Sequence, residues 1–258
     1  MNPTTQDVET RAQSLLKRGY YSQARELLRT PLRLEPNRGS LRLLRAMSHH
    51  AEGNWREALE DAETAMLLMP LPAAGTLVLG DAYAHSGRTE LAMVAYEHLL
   101  AGGPHPADFY AGLYAGFRQC GRVDRAMETC RVACEADPDN HEARYGMAHC
   151  MSELGYAASF IAGVLKTVVE AAPDREIYRL SLALQLVRAA SPSEAYEQLQ
   201  QLPAESLGQI GCRCSARTLL ELCAWAHDTQ RTRILGDVLR CLPTANRLSN
   251  DKNEGENP

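Results

Sequence analysis

Apolar and polar positions alternate along this chain with the spacing of amphipathic helices, in short runs separated by polar breaks. The clearest two runs lie between Leu77 and Pro104, LVLGDAYAHSGRTELAMVAYEHLLAGGP. They predict two helices joined by a turn at Ser86-Gly87, with small residues at Gly80 and Ala92, large ones at Tyr83 and Tyr96, and a stop at Pro104. The same skeleton returns at steps of 34 residues. The turn glycine recurs as Gly19, Gly53, Gly87, Gly121 and Gly155, the alanine as Ala24, Ala58, Ala92 and Ala126, and the proline as Pro36, Pro70, Pro104 and Pro138. A fixed period of this length marks an array of stacked helical hairpins.

On this ruler the pairs start near residues 5, 39, 73, 107, 141 and 176. Ala12 and Ala24, Ala46 and Ala58, Gly80 and Ala92, and Ala183 and Ala195 are each 12 apart. A small side chain at the crossing lets two antiparallel helices approach to the short end of the ~8–10 Å range. The glycine suits a left-handed residue that closes the first helix, and the proline cannot continue the second. The pattern weakens along the chain. The fourth pair has Tyr114 at the small position, the fifth slips by one residue to Ile161 and Pro173, and the sixth replaces the turn glycine with Ala190-Ser191-Pro192. After Pro203, SLGQIGCRC reads as a loop, and helical runs over 215–227 and 229–242 read as a cap on the last apolar face. The expected organisation is a superhelix over 1–203, capping helices over 204–243 and a polar, disordered tail over 244–258.

Composition adds limits more than identity. The 258 residues are 45% hydrophobic, with a net charge of −5 that argues against nucleic acid as the main ligand. The first 50 residues carry nine Arg or Lys against four Asp or Glu, a net of +5 that leaves about −10 on the remainder. The N-terminus has no basic stretch followed by an apolar run, and no segment approaches the ~18 apolar residues of a membrane span. A cytoplasmic protein with reduced thiols is the expectation, without membrane insertion.

The register of these residues resembles the tetratricopeptide repeat. Leu79-Gly80, Tyr83, Ala92, Tyr96 and Pro104 carry the best match, followed by Ala58, Ala65 and Pro70, and by Ala126, Ala133 and Pro138. The likeness is close over residues 5–138 and looser to residue 203. It implies an all-α fold, a right-handed superhelix of about six repeats, whose first helices line a concave groove for a protein or peptide partner. It implies no enzymatic activity and no cofactor. One variant of the family grips a C-terminal carboxylate with Lys, Asn and Arg. The corresponding positions here hold Glu9, Gln13, Leu44, Ala74 and Val78, so no such clamp is expected.

With first helices on the concave side, the groove candidates are Leu43, Met47, His50, Leu77, Asp81, Ala84, Asp108, Ala111, Ala115, Arg118, Tyr145 and His149, flanked by Glu9, Gln13 and Ser152. Small and aliphatic side chains dominate its middle, which suits a peptide or helix with apolar anchors. The alternative is that Leu43 and Leu77 pack against neighbouring repeats or against the chain's own C-terminal helices, or are covered in a subunit contact. Three functional classes follow: a binding scaffold of chaperone or adaptor type, an auxiliary subunit of an enzyme complex docking by its convex or C-terminal surface, and, least favoured, an enzyme with a site at Cys212 and Cys214 or in the acidic half.

Chemistry is sparse. His49 and His50 are adjacent on a helix and point about 100° apart, so they do not share a metal; His49 is expected to be a buried, hydrogen-bonded ring. Cys130 and Cys134 face one side of a helix without the spacing of a zinc site. Cys212 and Cys214 sit in the loop, open to oxidation. Glu60, Asp61 and Asp81 read as solvated carboxylates, and Arg25, Arg29 and Arg33 as a solvated stripe. No phosphate loop, nucleophile elbow or His-Glu-x-x-His motif is present. No catalytic residue and no metal site is expected.

Overall fold

A computed structural model of the chain describes residues 4–243, without the side chain of Asp108; the tail from 244 to 258 lies outside the described residues. Internal packing divides the chain into two units, 1–140 and 141–258.

The first unit holds four antiparallel pairs: α1 (Thr5–Lys17) with α2 (Tyr21–Leu34), α3 (Gly39–Ala51) with α4 (Trp55–Leu68), α5 (Ala73–His85) with α6 (Thr89–Ala101), and α7 (Ala107–Gln119) with α8 (Val123–Ala136). The second holds α9 (His141–Glu153) with α10 (Ala158–Ala171), α11 (Glu176–Arg188) with α12 (Pro192–Gln200), and α13 (Arg213–Trp225) with α14 (Thr229–Cys241). No strand occurs among the described residues.

Each hairpin turn is closed by the same device. The third residue past the first helix donates its backbone N–H to a carbonyl five residues back, as in Tyr20 to Leu15, Asn54 to His49, Arg88 to Tyr83 and Arg122 to Phe117. The residue before it is a glycine with φ between 71° and 79° at Gly19, Gly53, Gly87, Gly121 and Gly155. This is a left-handed helix ending with its 6→1 hydrogen bond. The sixth and seventh pairs keep the bond, Ser191 to Leu186 and Asp228 to Cys223, while Ala190 (φ 58°) and His227 (φ 56°) take the strained position. The missing glycine therefore changes the cost of the turn and not its shape.

Close approach is set by the small residues. Ala12, Ala24, Ala46, Ala58, Ala183 and Ala195 are fully buried. In the first unit Val8, Ala12, Leu28, Leu32, Leu41 and Leu44 form one cluster. Beside it lies an ion network that corrects the reading of Asp61 as solvated: its side chain is 3% exposed and accepts from Arg42 Nη1 at 3.0 Å and from Arg45 Nε at 2.6 Å. The sequence could not show that two arginines of α3 reach across the hairpin to α4. Arg25 is likewise not a simple solvated charge, since it bonds Ser48 Oγ at 2.9 Å and Glu52 at 2.7 Å.

In the second unit, the stretch read as a loop after Pro203 is ordered. Ala204–Gln209 is a 3-10 helix with Leu207 fully buried, and α13 starts at Arg213. The apolar residues Leu202, Leu207 and Ile210 are close in sequence and bury together only if the chain coils. Two arginines bind carbonyls past or near helix ends: Arg231 reaches Leu202 O at 2.8 Å, and Arg213 reaches Leu239 O and Leu242 O.

Candidate functional site

In the first unit the first helices touch one another in succession, α1 on α3, α3 on α5 and α5 on α7. α2, α4 and α6 each pack on their own partner and on the next first helix, so the first helices share one wall. The wall is pinned by large residues seated over glycines. Leu43 of α3 lies over Gly75 of α5, where an added Cβ would sit 2.9 Å from Leu43 Cδ1, and Leu77 of α5 lies over Gly112 of α7, with the corresponding distance 3.0 Å. Leu43 is buried and Leu77 half-buried.

A cavity of about 360 Å³ opens on this wall. Glu9, Gln13, Leu16, Leu43, Leu44 and Met47 contribute from α1 and α3, with Met69, Pro72 and Ala74 beyond. Its size falls within the usual ~300–1,000 Å³ of ligand clefts. Glu9 is held at its rim by Ser40 Oγ at 2.5 Å and Arg38 Nε at 3.3 Å. Four of the five positions compared with the carboxylate clamp (Glu9, Gln13, Leu44 and Ala74) are part of this lining, which carries one cation, Lys17.

Further along the wall, His50 and Asp81 are joined. His50 Nε2 lies 2.7 Å from Asp81 Oδ2, and the Tyr96 hydroxyl donates to Asp81 Oδ1 at 2.7 Å. Asp81 is thus a shared acceptor between α3, α5 and α6, and the reading of it as a solvated charge does not hold. Burial and the facing carboxylate push the Tyr96 hydroxyl well above the ordinary tyrosine range, so it acts as a donor. Trp55, which the sequence reading passed over, stacks on His85 at 3.6 Å and meets His50 edge-on at 5.3 Å. Ala84 is half-buried, Ala111 and Ala115 are exposed, and Arg118 is half-buried. The side chain of Asp108 lies outside the described residues.

His49 differs from its expected role. Its ring is half-buried, yet Nδ1 is fully buried with no hydrogen-bond partner in the protein. Burial, then the nearby Arg25 charge, lower its pKa below the ordinary histidine value.

Tyr145 and His149 belong to the second unit and line a separate cavity of about 550 Å³. Ile177, Leu180 and Leu184 of α11 form one side, and Leu207, Ile210 and Cys212 another. The Tyr145 hydroxyl bonds Ser181 Oγ at 3.0 Å, and its ring packs on Tyr178. Leu180 and Leu184 were within reach of the sequence: they are Tyr145 and His149 carried 35 residues on, into the pair after the slip. Among the described residues no group of three or more His, Cys, Asp or Glu could hold a metal ion. No described helix is long and apolar enough to cross a membrane.

A family model for the tetratricopeptide repeat matches residues 10–67 and 43–107. Among solved structures, the C-terminal part of a repeat-containing protein from Cytophaga hutchinsonii aligns with 93% of this chain and 96% of its own, at 15% identity and a TM-score of 0.71. A tetratricopeptide repeat protein from Parabacteroides merdae covers 91% and 97% at 14% identity and a TM-score of 0.59. YrrB, described as a repeat protein with an unusual peptide-binding site, covers 67% and 89% at 16% identity and a TM-score of 0.55. No curated protein sequence matches the chain.

Proposed function

The chain belonging to the tetratricopeptide repeat family, we propose that it is a non-enzymatic, cytoplasmic scaffold that binds a peptide or helical segment of a partner protein against its first helices. A role in protein–protein interaction is what the family suggests at the coarser level. The observation that carries the finer reading is the wall of α1, α3 and α5, where a cavity of about 360 Å³, lined mainly by apolar side chains, has Met47 half-exposed. Methionine adapts to varied apolar anchors, and a cleft between helices suits an inserted side chain. The peptide-binding site named for YrrB supports the same use of this fold.

A second reading has its own observation. The second helices α4 and α6 expose Leu67 (83%), Val94 (69%), Leu91 (48%) and Met66 (45%), so an auxiliary subunit docking through that surface, or a second copy of the chain, is the alternative. Selection of a displayed random-peptide library on the whole chain separates the two. Enriched peptides should lose binding at least about tenfold in Met47→Lys and keep it in Leu67→Asp/Val94→Asp. Peptides that bind the Met47 variant unchanged would remove the first-helix reading.

A further inference from the structure

Cys212 is the residue that caps the N-terminus of α13, and Cys214 lies within its first turn. Both side chains are exposed, and their sulfur atoms face each other at 3.2 Å. Gly211 precedes the pair, and Cys212 also borders the 550 Å³ cavity with Ile210 and Ser215. We propose that Cys212 and Cys214 form a thiol–disulfide exchange site, which accepts small-molecule disulfides of the glutathione class and closes to an intramolecular Cys212–Cys214 bond at the cavity edge.

Three observations support it. The first is contact: the two sulfurs need move together by only about 1.2 Å to reach the ~2.05 Å of a disulfide. The second is electronic. Hydrogen bonds from the Ser215 backbone, then from the Cys214 thiol, stabilise the Cys212 thiolate and hold its pKa down to about 7, as a helix N-terminus does for reactive cysteines. The third is selectivity. Burial pushes the Cys223 thiol up to about 11 and raises Cys120 as well, so neither competes.

The exchange balances without another reagent. The Cys212 thiolate attacks one sulfur of the disulfide, forming a mixed disulfide and expelling one small thiolate, which takes a proton from water. Cys214 then loses its proton and attacks Cys212 Sγ, expelling the second small thiol. The protein dithiol is oxidised by two electrons and the reagent is reduced to two thiols. The event is stoichiometric and independent of what the first-helix wall of the other unit binds.

The test uses the full chain incubated with glutathione disulfide, quenched by alkylation and mapped by mass spectrometry. Wild type should lose alkylation at 212 and 214 together, with no retained glutathione. Cys214→Ser should trap one glutathione on Cys212, and Cys212→Ser should react at 214 at least ~10-fold more slowly. Stable glutathione adducts on both cysteines of the wild type would overturn the proposal. So would Cys241, the remaining exposed cysteine, reacting as fast as Cys212. The substitutions are at exposed positions, and circular dichroism of each variant confirms that a lost reaction is not a lost fold.

Discussion

Gly80 and Tyr96 approach so closely that a Cβ built on Gly80 would lie 2.7 Å from Tyr96 Cε1. The same ring also occupies the space above Gly116 of α7, so Tyr96 is held between two first helices by glycines on both sides. Gly80→Ala gains helix propensity of about 1 kcal/mol but overpacks by about 1–3 kcal/mol, and the ring has nowhere to retreat. A net loss of stability is expected, read as a lower urea midpoint. Tyr96→Phe keeps the packing, removes the hydrogen bond to Asp81, and should cost about 1 kcal/mol.

The glycine and alanine period announced the hairpins because each residue type answers a backbone demand: positive φ at Gly53 or Gly121, zero clearance at Ala46 or Ala58. Those demands are local and repeat, so a single sequence reveals them. Contacts between chemically ordinary residues are not local. Nothing near Asp61 in sequence shows that Arg42 and Arg45 enclose it, and nothing near Leu43 shows that Gly75 lies beneath it. The groove candidates therefore divide. Met47 lines a cavity, Leu43 both lines it and serves as packing, and Tyr145 with His149 belongs to a different cavity in the second unit. The 3-10 helix after Pro203 is hidden because Gly208 and the following Gly211 advertise a loop, while the burial of Leu207 is decided by the fold.

The sixth and seventh turns offer a stabilising change. Ala190 and His227 hold the left-handed conformation that glycine holds in the first five turns. That conformation costs an L-residue about 1–2 kcal/mol, offset in part by the unfolded-state entropy glycine adds. Ala190→Gly should therefore raise stability by about 0.5–1 kcal/mol, seen as a higher melting temperature. A decrease would show that the Ala190 methyl group contributes packing that outweighs its strain.

Asp61 gives a contrast between buried and exposed charge. Asp61→Asn leaves Arg42 and Arg45 facing each other without a carboxylate, and the expected loss is about 1–3 kcal/mol. Glu26→Gln breaks the pair with Arg29, whose side chains are 64% and 68% exposed, and should change stability by less than about 0.5 kcal/mol. Chemical denaturation of both variants at one pH reads the difference.

Leu43 and Met47 are neighbours on the cavity wall with different duties. Leu43→Ala opens the seat over Gly75 and should cost about 2–4 kcal/mol, so loss of binding in that variant would say little about the wall itself. Met47→Lys can extend its stem along the apolar rim and place its ammonium in water, at a cost of about 1 kcal/mol. Urea midpoints of the two variants should separate them clearly, which makes Met47 the position at which a binding defect is informative.

His49 sets the direction of an acid response. Its folded pKa lies below the ordinary 6.5, first because the ring is partly buried and then because of Arg25; Asp61 and Glu57 act in the opposite sense, and Arg45 in the same one. With the folded pKa depressed, the unfolded chain takes up the proton first as pH falls below about 6.5. Stability from this residue is therefore complete above that value and is lost on acidification, until the folded form is protonated too. Between about pH 7.5 and about pH 5 the wild-type urea midpoint should fall more steeply than that of His49→Gln. Equal slopes would mean that the buried Nδ1 exerts no control over the acid limb, and that other carboxylates and histidines set it.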